Sequence, residues 1–474
     1  MIFKYKRVLA SVILACSLLI VNSCKVSVDP LQPDLTFPEK YRSSGETDST
    51  EVNVMPWREN FKEIHLKALL DSAVYNNLDL KVAIKNMDAA NQMLKQSKLG
   101  YLPSISLGVT GSSNRPSDNS LDGLTLSQFL GKRHVEDYTA SVGISWEIDI
   151  WGKVRNQKEE SLAAFLQTEE VKKAIQTQLI SEVAKGYYNL LLLDEKLRIA
   201  KKNEELNSHT LKMIKLQFEA GHVNSLAVQQ ADAQQSTAAS LVPKFEQEIL
   251  IQENAINLLL GKMPGSVKRA SSIESMFPLE TIRSGIPSSL LSMRTDVKQA
   301  ELEILRANAL LGIKKANMYP ALTITAQGGT NSFQTSNWFN IPSALFGNVL
   351  GGVTQPIFQK RKLKTQYELA KIEQDKAVIV FRRKILVAVG EVSGALIKID
   401  KLNEEQFEVD KRSKILQNAV GNADMLFKNG MANYLEVITA QANVLQSQLQ
   451  SAEIKRAQLG ASVELYRAIG GGWK

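Results

Sequence analysis

The chain has 474 residues, 44% of them hydrophobic and 22% charged, which is enough for a large core and too apolar for disorder. It carries 57 Lys and Arg against 49 Asp and Glu, a net charge of +8. These charges are interleaved along helical stretches, the pattern of a solvated face, and they argue against a nucleic-acid partner. Four scattered histidines (His65, His134, His209, His222) have no metal-ligand spacing, and no serine sits in a nucleophile elbow, so neither a metal site nor an enzyme is expected.

The N-terminus reads as a targeting segment. Lys4, Lys6 and Arg7 precede an apolar run from Val8 to Val21, too short and too early for a spanning helix. Val21-Asn22-Ser23-Cys24 resembles a bacterial lipoprotein signal. That resemblance implies cleavage of residues 1–23 and a lipid on Cys24 as the only covalent addition. Lys25, in place of an aspartate, favours the outer membrane. The mature chain then holds one cysteine and no internal disulfide. Residues 24–55, rich in Pro, Ser, Thr and acidic residues, read as an extended tether.

Trp57 and Phe61 open a short helical stretch through Leu66 and Ala73, broken at Asn76-Asn77, and a second helix begins with Asp79 as its expected N-cap. Pro103 ends that helix. The period then switches to two. A strand over about 104–113 sets Ile105, Leu107 and Val109 against Ser104, Ser106, Gly108 and Thr110. After a loop from about Ser112 to Asp137, a return strand over about 138–148 sets Ala140, Val142, Ile144 and Trp146 against Thr139, Ser141, Gly143 and Ser145. Ten residues with one apolar face and one Ser/Thr/Gly face suit a membrane strand with lipid outside and water inside.

From about Gly152 to Ala220 a helical pattern runs without proline, roughly 100 Å long. Ile175, Leu179, Val183, Tyr187 and Leu190 mark its buried face. The chain reverses at a tip over about 218–226, and a second helix returns to about Leu260, with Pro243 expected to bend or break it.

The programme then repeats. Asp79 to Pro103 matches Asp296 to Pro320 at an offset of 217 positions. Val154, Gly221 and Gly261 match Leu363, Gly430 and Gly470 at an offset of 209. The change falls inside the strand–strand loop, where length is cheapest to alter. The domains are therefore residues 56–265, a linker at 266–287, and residues 288–474. The second copy has strands over about 321–328 and 346–355 and a tip over about 427–436. Its last helix carries a 3-4 stripe of Leu435, Ile438, Ala442, Leu445, Leu449 and Ala452, with Gln441, Gln446, Gln448 and Gln450 on a flank expected to meet water or polar neighbours.

Four strands cannot close a barrel, and open sheet edges are not tolerated in lipid. Several chains must share one barrel, and twelve strands from three chains leave room for a water-filled pore. Tyr101, Trp146, Trp151 and Tyr319 at the helix side, with Trp338 and Phe339 at the loop side, mark two interfacial girdles. Pro103 and Pro320 are the helix-to-strand junctions.

These features, with Trp57 to Phe61, Trp146-Glu147-Ile148-Asp149-Ile150-Trp151-Gly152, Gln355-Pro356-Ile357-Phe358 and Gly470-Gly471-Gly472-Trp473, resemble the outer membrane factor family of tripartite efflux pumps (TolC/OprM type). The likeness is to its lipoprotein branch, which works with resistance-nodulation-division (RND) transporters. The resemblance implies a mainly α fold with membrane β: a TolC-like homotrimer with four strands per chain in a shared twelve-stranded barrel, and a long periplasmic coiled-coil tunnel. It implies a Gram-negative outer membrane location, with lipid, a periplasmic membrane-fusion adaptor and an RND inner-membrane transporter as partners. The expected activity is passive conduction of drugs or other small molecules. A type I protein-secretion outlet, a metal-efflux outlet and, in another class, a periplasmic structural coiled-coil or adaptor lipoprotein are the competing readings. Gly221, His222, Val223, Asn224, Gly430, Met431, Ala432 and Asn433 are then the adaptor-contact tips, and Tyr434, Glu436 and Thr439 the channel gate, with Glu436 of three chains forming a carboxylate ring. Three departures stand out. Thr295 replaces a usual proline, and Gln359-Lys360-Arg361-Lys362 is basic where many members have glycines. Phe427 and Ala227 occupy the positions of the hydrogen-bonded pair that latches the best-known member.

Overall fold

The computed structural model describes residues 55–279 and 293–473. The signal segment, Cys24, nearly all of the 24–55 tether and part of the 266–287 linker lie outside the described residues. In chain order the elements are α1 (Trp57–Asn60), α2 (Ile64–Asn76), α3 (Leu78–Lys98), β1 (Ser104–Asn114), α4 (Leu121–Leu130), β2 (Val135–Ile148), α5 (Lys153–Glu219) and α6 (Ser225–Leu259). After the linker come α7 (Thr295–Ala316), β3 (Ala321–Ser332), β4 (Leu345–Thr354), α8 (Lys362–Lys428) and α9 (Tyr434–Ala468). The long helices of the two repeats match residue for residue: α5 and α8 have 67 residues each, α6 and α9 have 35 each.

The chain divides into two compact units. The first holds an antiparallel sheet in the order β1-β2-β3-β4. Residues opposite each other on antiparallel strands share a face. The register pairs Leu107 with Val142, Val142 with Gly328, Ile144 with Ala326 and Ala326 with Val349. One face is thus apolar or glycine over most of every strand, with Ser113, Glu136, Thr330 and Ser332 on it at the loop end. The other gathers Ser106, Gly143, Gln327 and Asn348, interrupted by Leu350 and Phe346 on β4. Both strand-face expectations hold, and β3 runs four residues further than expected. The polar face is cross-linked: Gln327 Nε2 donates to Ser141 Oγ at 2.8 Å. β1 and β4 are the two edges.

The loop before β2 is not plain loop, because it folds α4. Ser120 caps that helix by accepting from Gly123 N, and Gly131 ends it at φ +61°.

Asp149 starts α5, its carboxylate accepting from Val154 N and Arg155 N at 3.0 and 2.9 Å. Gly152 just ahead has φ +72°. Its repeat equivalent is Arg361, at φ +64° next to Lys360 at +48°. An L-residue in this left-handed region costs roughly 1–2 kcal/mol. Arg361 is exposed. Arg361→Gly is therefore expected to stabilise the chain by about 1 kcal/mol. A urea titration of the detergent-solubilised protein followed by circular dichroism checks this.

The second unit holds the helical hairpins and the main core. Leu179, Val183, Tyr187 and Leu190 of the α5 stripe are buried and Ile175 is half-buried, and Trp57, Phe61, Leu66 and Leu70 join this core. One expectation fails here. Asn77, not Asp79, caps α3: its Oδ1 accepts from Leu80 N at 2.9 Å while its amide donates to Leu259 O at 2.9 Å. A side chain that satisfies two backbone groups at once outcompetes a solvated aspartate two residues on. Pro243 does not break α6, which is continuous through it. Pro243 is exposed and Phe245, about 200° round the helix, is buried. Packing on that side outweighs one lost backbone bond.

The linker is held down. Arg269 donates to Asp194 at 2.6 and 3.0 Å and to Glu253, while Glu253 accepts from Val267 N at 3.1 Å. Beyond the linker, Arg294 is buried among Asp296 (2.8 and 2.9 Å), Glu391 (2.7 Å) and the Ala468 carbonyl (3.0 Å). Burial pushes the Asp296 carboxyl up, but its hydrogen bonds and charge pairing with Arg294 more than offset this and hold it below the usual carboxylate value.

Candidate channel gate

The two tips are built alike. Gly221 and Gly430 take φ +75° and +71°, a conformation glycine reaches without strain. The following amides, His222 N and Met431 N, donate back to Gln217 O and Leu426 O at 2.9 Å. This closes each helix with the paired bonds of a left-handed cap. Asn224 and Asn433 then start the return helices as N-caps. Glu436 completes a capping box on α9, its Oε1 accepting from Asn433 N at 3.4 Å.

The tips meet through an apolar cluster. Phe427, 4% exposed, packs with Ile214, Ala227, Ala231 and Val437, with Val223, Ala432 and Tyr434 at its border. The two residues that cannot form the expected latch bond are therefore in one cluster, joined by packing instead. Above it, the Tyr434 hydroxyl donates to Gln230 Oε1 at 2.7 Å, tying α9 to α6. Below it, Gln441 Nε2 donates to Thr210 Oγ1 at 2.9 Å, tying α9 to α5.

Gln441 is only 1% exposed, so of the two environments expected for its flank, water or polar neighbours, it takes the second, the Thr210 hydroxyl. Near the tip the buried positions are Val437, Gln441 and Ser447, while Leu435 and Ala442 of the expected stripe are exposed. Ala, Gln and Ser dominate this end of the helix, so apolar periodicity does not single out one face.

Thr439 and Glu436 are exposed; Met431 and His222 also stand in solvent. A cleft of about 630 Å³ between the tips is lined by residues that include His222, Asn224, Phe427, Asn433 and Tyr434. Sequence reasoning missed Gln230, Thr210 and the buried state of Phe427. The one available signal was the pairing of Phe427 with Ala227, a large residue against a small one where a polar pair is usual.

At the sheet the aromatic residues cluster near its two ends. Trp146 Nε1 donates to Tyr101 O at 2.9 Å, and Trp151 Nε1 to Pro320 O at 2.7 Å. Trp151 also stacks on Tyr319 at 4.9 Å. At the loop side Tyr138, Trp338 and Phe339 form a chain of rings 5.6 and 4.9 Å apart. Pro103 and Pro320 immediately precede β1 and β3.

A two-faced sheet bounded by aromatic residues, on a chain of paired long helical hairpins, is the pattern of an outer-membrane channel protein. The profile of the outer membrane efflux protein family matches residues 69–262 and 286–471, one stretch per repeat, and the chain belongs to that family. It is 26% identical over 464 residues to the cation efflux system protein CusC of Escherichia coli, covering 97% of this chain and 98% of that protein. It is 27% identical over 467 residues to the toluene efflux pump outer membrane protein TtgI of Pseudomonas putida, covering 96% and 97%. Its fold matches the crystal structure of the Campylobacter jejuni CmeC outer membrane channel with a TM-score of 0.85, at 22% identity and 95% coverage of both chains. The chain is thus an efflux channel with a TolC-like fold, and its place is the Gram-negative outer membrane.

Proposed function

We propose that this chain is the outlet of a tripartite efflux system, a passive conduit without catalytic chemistry. Three copies close one twelve-stranded barrel, anchored further by lipid on Cys24. The exposed tip residues receive a periplasmic adaptor, and an RND transporter loads the conduit. The observation that carries this reading is the sheet: both edges are open, one face is apolar, the other polar. Only closure with further copies satisfies the edge bonds in lipid. Cargo is a set of small molecules chosen by the inner-membrane pump. The names of two relatives, one for cations and one for toluene, support assigning that choice to the pump and not to the outlet.

The gate is the tip. Phe427 and its cluster hold the second hairpin to the first, and the Tyr434–Gln230 bond adds to that hold. Glu436, Thr439 and Tyr434 edge the mouth. Glu436 spends one carboxylate oxygen on the α9 cap and stays exposed, so three copies present a ring of negative charge that favours cations. Glu436→Gln keeps the capping geometry, since Gln serves in a capping box, but removes the charge. In planar bilayers the wild-type preference for cations is expected to fall toward none in this variant, with the melting behaviour unchanged. Unaltered selectivity would remove the ring from the account.

A further inference from the structure

The two strand-to-helix junctions of the repeat differ in charge. At the first, between β2 and α5, Lys153 pairs with Glu147 at 2.9 Å and Arg155 with Glu159 at 3.2 Å, and the Asp149 carboxylate caps the helix. The 209-position offset carries Glu147 to Pro356 and Asp149 to Phe358, so both carboxylates are lost. Trp151 and Gly152 become Lys360 and Arg361, while Lys153 and Arg155 become Lys362 and Lys364.

The second junction is therefore basic and uncompensated. Between Glu303 and Glu368 the chain has no acidic residue and seven basic ones. Four of the seven, Lys360, Arg361, Lys362 and Lys364, stand where β4 gives way to α8. All four are exposed, and among the described residues none makes an ion pair. Glu368, one turn further on, offsets at most one of them. Cations in the first turn of a helix meet the positive end of its dipole. Arg361 also holds a left-handed backbone that glycine takes freely at position 152. Nothing within the chain offsets either cost.

The surroundings fit a membrane surface. Ile357 and Phe358, just ahead of the cluster, are 95% and 83% exposed. Pro356 and Thr354 line a cavity of about 160 Å³ together with Trp151 and Tyr319, the stacked pair at the helix side of the sheet. The basic cluster thus sits at the level of the aromatic girdle, with two apolar side chains beside it.

We infer that this junction binds anionic phospholipid of the periplasmic leaflet. Lys360, Arg361, Lys362 and Lys364 hold the headgroup phosphates, and Ile357 and Phe358 enter the acyl layer. The site rests on the reading that the sheet crosses the bilayer. It adds a lipid preference that a barrel embedded by its apolar face alone does not need. Guanidinium and ammonium groups bond phosphate oxygens directly, and each basic residue near an anionic surface favours binding by about fivefold.

Tryptophan quenching tests it, because Trp151 lies beside this junction. The full lipidated chain is reconstituted into phosphatidylcholine vesicles that contain increasing fractions of either phosphatidylglycerol or phosphatidylcholine with brominated acyl chains. Quenching averages over every lipid contact of the sheet, so the wild-type preference for brominated phosphatidylglycerol is expected to be about threefold or more. In 1 M salt, where the screening length falls to about 3 Å, the two lipids should quench alike. They should also quench alike in the combined variant Lys360→Gln, Arg361→Gln, Lys362→Gln and Lys364→Gln, which keeps long polar side chains. Lys411→Gln with Lys414→Gln, further along α8 in the helical unit, should keep the preference. Equal quenching of the wild type by both lipids would overturn the site, as would a preference that survives salt or the four substitutions, or one that is lost in the Lys411 and Lys414 variant. A wild-type protein quenched by neither lipid would overturn the membrane-crossing reading itself.

Discussion

Phe427→Ala is expected to leave the periplasmic mouth open. Phe427 is the largest side chain in the cluster that joins the two hairpins at the tip. Truncating a buried phenylalanine to alanine costs roughly 3–5 kcal/mol in a packed core. Taking about 3 kcal/mol for a site at the end of a hairpin, the closed state loses roughly a hundredfold in its equilibrium against an open one. The Tyr434–Gln230 hydrogen bond is the lesser restraint, because a neutral bond of this kind contributes about 1 kcal/mol net. Single-channel recording separates the two: Phe427→Ala should show a large rise in open probability, Tyr434→Phe a small one. A Phe427→Ala channel that stays shut would place the gate elsewhere.

Arg294→Ala is expected to destabilise the helical unit strongly. The guanidinium is 5% exposed and serves Asp296, Glu391 and the Ala468 carbonyl together. Breaking a buried ion pair from one side costs about 3–5 kcal/mol. Asp296 and Glu391 keep 28% and 32% exposure, and Glu391 retains Arg467 at 3.3 Å, so the lower end, about 3 kcal/mol, applies. Lysine should not rescue it, because one ammonium cannot form the forked pair with Asp296. The pH dependence follows from the direction of the Asp296 shift. Its carboxyl is held below its ordinary 3.8 in the folded chain. That contribution is complete above the unfolded value and is lost as pH falls through the lower folded value. Wild-type stability should therefore drop as pH goes below about 4. Arg294→Ala should lack this part of the drop. Urea titrations at pH 7 and pH 3 measure both effects.

The repeat, the long helices and the two faces of the sheet were legible in the sequence because each rests on a local rule. Period two with Ser, Thr and Gly opposite Val, Leu and Ile holds for any strand between lipid and water. The turn glycines 221 and 430 were readable because nothing else takes a positive φ cheaply. What escaped were choices that depend on residues far apart in the chain. Asn77 wins the α3 cap over Asp79 because Leu259, far along the chain, offers it a carbonyl. Gln441 is buried because Thr210 accepts its amide. The small helix α4 carried its own signals, Ser120 ahead and Gly131 behind, but they sat in a polar segment whose composition read as loop.

The open rows of backbone groups on β1 and β4 bear on biogenesis. A lone chain cannot settle into a bilayer, since each edge strand would carry its unpaired amides and carbonyls into hydrocarbon. Membrane entry and assembly are thus one event in the proposed ring. The last copy to arrive removes the exposed edges for all the others, so a half-built ring has no resting place in the membrane. In that ring a copy with a damaged β4 leaves its neighbour's β1 edge unpaired and so disables the whole assembly.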